Sequence, residues 1–452
     1  MAVVGTAASM WLTENGEIKL ANIDRMPIHH KATDKRRVAR RNKPSSDDQV
    51  SARSRPMNRF RRGSSKADLK PEVVRPTTPR YMKENYDYDK SSASEESDND
   101  EEKERPRIKP PDMCQKIYLT SCVKQGMAPR QRLLKGLTLE VLDVRNCMLA
   151  PHDIEALAYA LTTNMCVRTL ELSGNEVGRS GMETLVDMLE ENMTITELKL
   201  SNTKIGLYEV TLLTELLSEN LRITTLEASG NDMDDECAKC FAEALKYNRK
   251  LKRLDLSHNK FDENGGKCLA RIMETNDSIE YLDMSWNHIR MLGAMAWGET
   301  ICRNVDLRNL NLSWNGFGDE GAAAIAESLE DNTTLVTLDL SNNRIGYEGC
   351  RAMAKAVGAN TSLQKLALSQ NPITTQGAIE MLTRLNDNEQ SKLQELLLEG
   401  IQVTSDADDI FEEIRETRPE FRFVHGGHVI SPDILTLKTV DQPEKKCRSS
   451  KS

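Results

Sequence analysis

Three ring-bearing residues, His258, Trp286 and Trp314, follow one another at intervals of 28, and the carboxylates Asp255, Asp283 and Asp339 keep step with them. Tyr281 stands two residues before Asp283. Trp and Tyr present large, rigid faces of the kind that anchor protein interfaces, and a row of like charges is relieved by the counter-charge of a basic partner. That chemistry is recognition. Bond-making chemistry has no comparable set, since the sequence contains no G-x-x-x-x-G-K-S/T, H-E-x-x-H or G-x-S-x-G motif and no EF-hand loop. Neither an enzyme nor a cofactor is expected. The plainer readings of the same residues are a solvated acidic face and tryptophans packed flat over adjacent loops.

Other reactive groups are accounted for by the pattern around them. Cys237-Ala-Lys-Cys240 has half the spacing of a zinc site, but no second pair of ligands is spaced nearby. Cys240 and Cys268 also share a register with Ala296, Ala324 and Ala352, which marks them as small interior residues. His425-Gly-Gly-His428 reads as two surface imidazoles, so no metal is expected. Asn192-Met-Thr, Asn276-Asp-Ser, Asn332-Thr-Thr and Asn360-Thr-Ser match the glycosylation sequon, yet all four belong to one regular ladder of asparagines that explains them. Ten cysteines in 452 residues read as free thiols in a reducing compartment, because disulfide frameworks belong to short secreted chains. No run of about 18 apolar residues occurs, and the opening MAVVGTAASMWL lacks a basic n-region and a sustained apolar h-region. A cytoplasmic placement is expected, with nuclear and ciliary or cytoskeletal placement as alternatives.

The recognition residues need a frame, and the repeat supplies it. Val167-Arg-Thr-Leu170-Glu-Leu172-Ser-Gly-Asn175-Glu-Val177 has the form L-x-x-L-x-L-x-x-N-x-L. Its Asn position recurs every 28 residues as Cys147, Asn175, Thr203, Asn231, Asn259, Asn287, Asn315, Asn343 and Asn371. A tenth copy begins at Leu393, with Ile401 as anchor after a two-residue insertion, and Phe421 to Val424 is expected 28 residues after Leu393 to Leu396 as a terminal half-copy. A second ladder, Asn164 to Asn388 in the same steps, follows stretches of helical spacing and is expected to end helices in the left-handed conformation. Two apolar columns, Leu157 to Met381 and Leu161 to Leu385, lie four residues apart on one helical face. Trp297 belongs to the first column and is expected in the core.

Each repeat is therefore a short strand, a loop and an amphipathic helix. One such unit buries too little apolar surface alone, so neighbours stack around a continuous core. Strands separated by helices lie parallel, and narrow strands backed by wider helices curve the stack with the strands inside. The fold expected is α/β: a right-handed horseshoe of about ten 28-residue strand-helix repeats, with a parallel concave sheet and convex helices. The residue between the two core leucines of each strand faces the concave side. That column reads Asp143, Glu171, Lys199, Glu227, Asp255, Asp283, Asn311, Asp339, Ala367 and Leu397, six carboxylates in ten positions. His258, Trp286 and Trp314 precede their anchor asparagines and fall at its rim.

The 28-residue period, the Leu-Ser-x-Asn strand exits and the long helices resemble the ribonuclease-inhibitor type of leucine-rich-repeat protein over residues 137 to 425. With the segment Tyr118 to Gly126, the copies Leu-Asp-Leu-Ser-His-Asn259 and Leu-Ser-Trp-Asn315-Gly-Phe-Gly318, and Asn371-Pro-Ile373, the chain is similar to the leucine-rich-repeat-containing protein 74 group. The resemblance implies a leucine-rich-repeat horseshoe and names no activity.

Charge divides the chain. Residues 1–112 carry 24 Lys/Arg against 19 Asp/Glu and residues 113–452 carry 37 against 51, so the net −9 joins a +5 segment to a −14 one. Residues 1–111 are expected to be a disordered tail, basic over 31–80 and acidic over 84–104, because so few apolar residues do not offset chain entropy. Asp112, after Pro110-Pro111, predicts a helical cap over 112–136 whose first helix ends at Gly126. Repeats fill 137–425, and 426–452 is expected to be a flexible tail. Within the first tail, Lys35-Arg-Arg-Val-Ala-Arg-Arg41 resembles a nuclear-localisation or nucleic-acid patch. Ser64 follows a basophilic kinase pattern, and Ser94 and Ser97 acidophilic ones, so all three are candidate phosphorylation sites.

The function expected is that of a monomeric, non-catalytic scaffold binding a protein with basic residues on the concave face, through His258, Trp286, Trp314, Tyr281, Asp255, Asp283 and Asp339. A regulator of an enzyme, of GTPase-activating or inhibitor type, and a cytoskeletal or ciliary component are the alternatives. Nucleic-acid binding by the basic tail is a further one, and no membrane partner is expected.

Overall fold

The computed structural model describes residues 112–429. The expected disordered tail, its serines Ser64, Ser94 and Ser97, and residues 430–452 lie outside the described residues. Asp112 opens helix α1 (Met113–Gln125): its carboxylate accepts from the Gln115 N–H at 2.7 Å, the Gln115 side chain accepts from the Asp112 N–H at 3.0 Å, and Gly126 closes the helix at φ +70°. This reciprocal bonding satisfies donors that every helix start leaves unpaired. Before the short helix α2 (Gln131–Gly136), Arg130 grips Asp153 of the first repeat with contacts of 2.9 and 2.8 Å.

Eleven parallel strands then form one sheet in chain order, from β1 (Val141–Asp143) to β9 (Lys365–Ala367), followed by β10 (Glu395–Leu398) and β11 (Arg422–His425). Between β1 and β9 each residue pairs with the one 28 further on, as Leu254 does with Leu282. The step widens to 30 between β9 and β10 and narrows to 27 between β10 and β11. Phe423 therefore pairs with Leu396. The expected uniform 28-residue offset of the terminal half-copy is corrected by one residue, because one fewer separates Phe421 from the strand's core position. Nor does the chain leave the sheet at 425. Gly426 N–H donates to Ile401 O at 2.7 Å, and Val403 both donates to Gly427 O and accepts from Val429 N–H at 2.9 Å.

Helices α3 (Pro151–Leu161) to α12 (Ser405–Thr417) pack side by side behind the sheet. Both apolar columns are inside, from Leu157 and Leu161 to Met381 and Leu385, and Trp297 is fully buried among them. Strands spaced about 4.8 Å apart, backed by helices packed about 8–10 Å apart, put the sheet on the concave side. No helix is long and apolar enough to cross a membrane among the described residues.

Two ladders of asparagine close the corners of the solenoid. At the strand exits, Asn175 Nδ2 donates to Val144 O (2.9 Å) and Leu172 O (2.8 Å), while its Oδ1 accepts from Leu149 N–H (3.0 Å). Asn287, Asn315 and Asn371 repeat the pattern. Thr203 keeps part of it, its hydroxyl donating to Leu200 O at 2.6 Å. Ile401 has no amide to offer.

At the helix ends, Asn192 Nδ2 donates to Leu161 O at 2.7 Å and its Oδ1 accepts from the Thr194 and Ile195 N–H groups at 2.8 Å. Its backbone is extended, φ −66° and ψ 134°, as are those of Asn220, Asn304, Asn332 and Asn360. The expected left-handed helix ending is thus incorrect. These positions select Asn for its amide, which satisfies backbone groups that are otherwise buried unpaired. In both ladders Nδ2 reaches a carbonyl 31 residues earlier.

Candidate partner-binding surface

Each repeat leaves the sheet through a sharp turn, and the residue before the anchor takes a positive φ. The column runs Asn146 (53°), Gly174 (72°), Asn202 (55°), Gly230 (68°), His258 (53°), Trp286 (54°), Trp314 (55°), Asn342 (57°) and Gln370 (57°). Gly and Asn take that conformation at least cost, whereas a bulky ring there is an outlier. Yet three rings occupy it in succession and stack. The His258 and Trp286 centroids lie 5.0 Å apart with planes 14° apart, and those of Trp286 and Trp314 lie 3.8 Å and 11° apart. Trp286 and Trp314 remain 43% and 44% exposed.

Magnitudes separate the readings of this column. Two stacked contacts contribute about 0.5–1.5 kcal/mol each, while three left-handed non-glycine residues cost about 1–2 kcal/mol each. Stability alone does not account for the stack. Backbone strain held at an exposed surface is of the kind that clusters at ligand-binding sites.

The carboxylates stand on β5 (Arg253–Asp255), β6 (Tyr281–Asp283) and β8 (Thr337–Asp339), flanked by buried Leu254, Leu282 and Leu338. One oxygen of each serves the fold: Asp255 accepts from Ser257 N–H at 2.9 Å, Asp283 from Ser285 N–H at 2.9 Å and Ser341 N–H donates to Asp339 at 2.8 Å. Asn311 on β7 (Asn309–Asn311) does the same for Ser313 at 3.1 Å. This structural duty went unseen in the sequence, where the column read as charge alone.

The stripe is also less uniform than its composition. Toward its start, Asp143 pairs with Arg145 at 2.9 Å and Lys199 with Glu227 at 2.8 Å. Asp255, Asp283 and Asp339 form no ion pair among the described residues. Burial pushes the Asp255 and Asp339 carboxyls up from their ordinary value, and the charge of Asp283 adds to the effect. The remaining oxygen of Asp283 accepts from Asn311 Nδ2 at 2.9 Å and from the Tyr281 hydroxyl at 3.4 Å.

Tyr281 lies on the same face, with the Arg253 guanidinium 3.5 Å above its ring centroid. Arg253 was not singled out from the sequence, although strand alternation and the 28-residue step put it beside Tyr281. A second omission lies on the loop after Trp286. There α8 (Met291–Arg303) begins with Met291 and Leu292, exposed at 71% and 53%, and Met291 itself has φ +41°. The same register holds Glu263-Asn264 and Asp319-Glu320 in the repeats on either side, and an apolar pair recurs only further off, in Leu207-Tyr208. An exposed apolar pair between two polar ones in the adjacent repeats was the available signal.

The remaining sequence candidates fall elsewhere. Cys237 is buried and its thiol is pushed up to about 11 by burial, while Cys240 and Cys268 are half-buried, all three free. His425 and His428 come together with a residue the sequence did not point to, Asp408 of α12, the potential ligand atoms of the three lying within 4.8 Å of one another.

Six segments, 163–186, 247–270, 275–296, 303–326, 331–354 and 359–382, match a family model described as leucine-rich repeat. The domain is built of leucine-rich repeats. Among solved structures, this leucine-rich-repeat chain is similar to an internalin of Listeria monocytogenes at 15% identity and TM-score 0.41, covering 75% of this chain and 99% of that one. It is also similar to actin-binding site 2 of leiomodin-1 at 20% identity and TM-score 0.27, covering 46% and 94% respectively. No curated protein sequence matches the chain.

Proposed function

We propose that the leucine-rich-repeat domain is a non-catalytic scaffold whose concave face and rim hold a protein partner through a segment of basic residues flanked by apolar ones. The observation that carries this reading is the exposed, strained stack of His258, Trp286 and Trp314 beside the three carboxylates Asp255, Asp283 and Asp339. An apolar side chain, or the stem of a Lys or Arg, lies on the rings and on Met291 and Leu292. The cationic head then meets the carboxylates, and a ring face adds cation–π attraction. The nine free thiols of the described residues support a reducing compartment such as the cytoplasm. The 28-residue period and the long helices support affiliation with the ribonuclease-inhibitor type and, more narrowly, the leucine-rich-repeat-containing protein 74 group.

Proximity labelling in cells tests the proposal, comparing the native chain with a Trp286→Asn, Trp314→Asn double variant and with an Asp255→Asn, Asp283→Asn, Asp339→Asn triple variant. The same partners are expected to vanish from both variants. A partner set unchanged in either one overturns the shared surface.

A further inference from the structure

We propose that Asp408, His425 and His428 form a divalent-metal site, suited to Zn2+, that clamps the last helix of the solenoid to its last strand. Two imidazoles and a carboxylate are a donor set that zinc accepts, with water completing a tetrahedron. The donors arrive from separate elements: Asp408 from the first turn of α12, His425 from the end of β11, and His428 from the residue bridged to Val403. Their ligand atoms already lie within 4.8 Å of one another, and His428 Nε2 touches Asp408 Oδ2. A tetrahedral zinc sets its ligand atoms about 3.3 Å apart, so closing the site takes only side-chain rotation. His428 is exposed and free to make it.

The turn between the histidines is built for this convergence. Gly427 sits at φ +99°, and a Cβ on Gly426 would lie 2.7 Å from the Gly400 backbone, so neither position admits another residue without a shift. The reversal is fixed by the bonds from Gly426 to Ile401 and from Val403 to Gly427. His425 stacks on Phe423 at 5.2 Å, and its Nδ1 accepts from Gly427 N–H at 3.2 Å, contacts that orient the imidazole. The site also falls where the solenoid needs a tie. Ile401 has replaced the anchor asparagine, so the strand-exit amide that ties each earlier repeat to the one before it is missing here.

The test titrates the full chain, stripped with chelator, with Zn2+ by isothermal calorimetry, beside Asp408→Asn, His425→Ala and His428→Ala. One saturable site is expected, weakened roughly tenfold or more in each variant, together with a Zn2+-dependent rise in Tm that the variants lose. Because the chain carries thiols that also bind zinc, Co2+ loading separates the sources: the proposed site gives no thiolate charge-transfer band. Absence of saturable binding would leave Asp408 and His428 as a simple ion pair and overturn the proposal. So would zinc affinity unchanged in all three variants, each shown by circular dichroism to be folded.

Discussion

Trp286 and Trp314 lie face to face, 3.8 Å between ring centroids, although each holds the left-handed backbone that Asn342 takes in the next repeat. Asn is thus a native occupant of the column. Replacing either tryptophan by Asn is expected to change folding stability by under about 1 kcal/mol, because lost stacking is offset by relief of backbone cost. Affinity for the partner should fall by about 2 kcal/mol or more, roughly thirtyfold in Kd. Thermal melts and a binding titration measure the two effects. A stability loss as large as the binding loss would reassign the stack to the fold.

Asp255 and Asp339 invert the usual relation between charge and stability. Burial holds their protons to a higher pH in the fold than in the unfolded chain. The fold therefore binds more protons than the unfolded state across the window above the ordinary Asp value of about 3.9, and stability falls as pH rises through it before levelling off. Asn at both sites removes this cost and keeps the bonds from Ser257 and Ser341, as Asn311 shows. The double Asn variant should melt at or above the native temperature at neutral pH, yet bind a basic partner roughly tenfold more weakly. A melt well below the native one would contradict the burial argument.

The asparagine ladders make a prediction about the frame. Asn315 donates to Met284 O and Leu312 O at 3.0 Å and accepts from Ile289 N–H at 3.1 Å. Alanine there strands buried backbone groups at about 1–3 kcal/mol each, so urea unfolding should show a loss of roughly 2–4 kcal/mol. Thr203→Asn should move the other way by about 1 kcal/mol, by restoring the full set of bonds.

Thiol reactivity should sort by burial. Cys350 and Cys237, pushed up to about 12 and about 11, are expected to resist iodoacetamide in the native state, while exposed Cys166 and Cys302 react first. Peptide mapping after brief labelling checks the order.

The repeat frame was legible because its columns are chemical: a buried Leu or Met at each fixed position leaves an unmistakable period, and amide ladders need Asn. What escaped was conformational or convergent. Nothing in the letters Ser-Trp-Asn says that Trp286 has a positive φ until it is set beside Gly174 and Asn202 in the same column. The Asn192 ladder ends the helices as expected, but what selects Asn there is its amide, which bonds backbone groups, and not a left-handed backbone. Asp408 was invisible because its neighbours lie across a helix and a reversal. The carboxylates read as free charge because strand alternation reports which way a side chain faces and not which N–H it meets.

The 31-residue reach of the amides has a mechanical consequence. Every repeat is stitched only to the one before it, so opening propagates like an unfastened seam rather than as a global melt. With Ile401 the strand-exit stitch is missing, and amide hydrogens in β10 and β11 should exchange with deuterium ahead of those in β5 to β8. The wall that carries the rings and carboxylates would then stay whole while the far end frays.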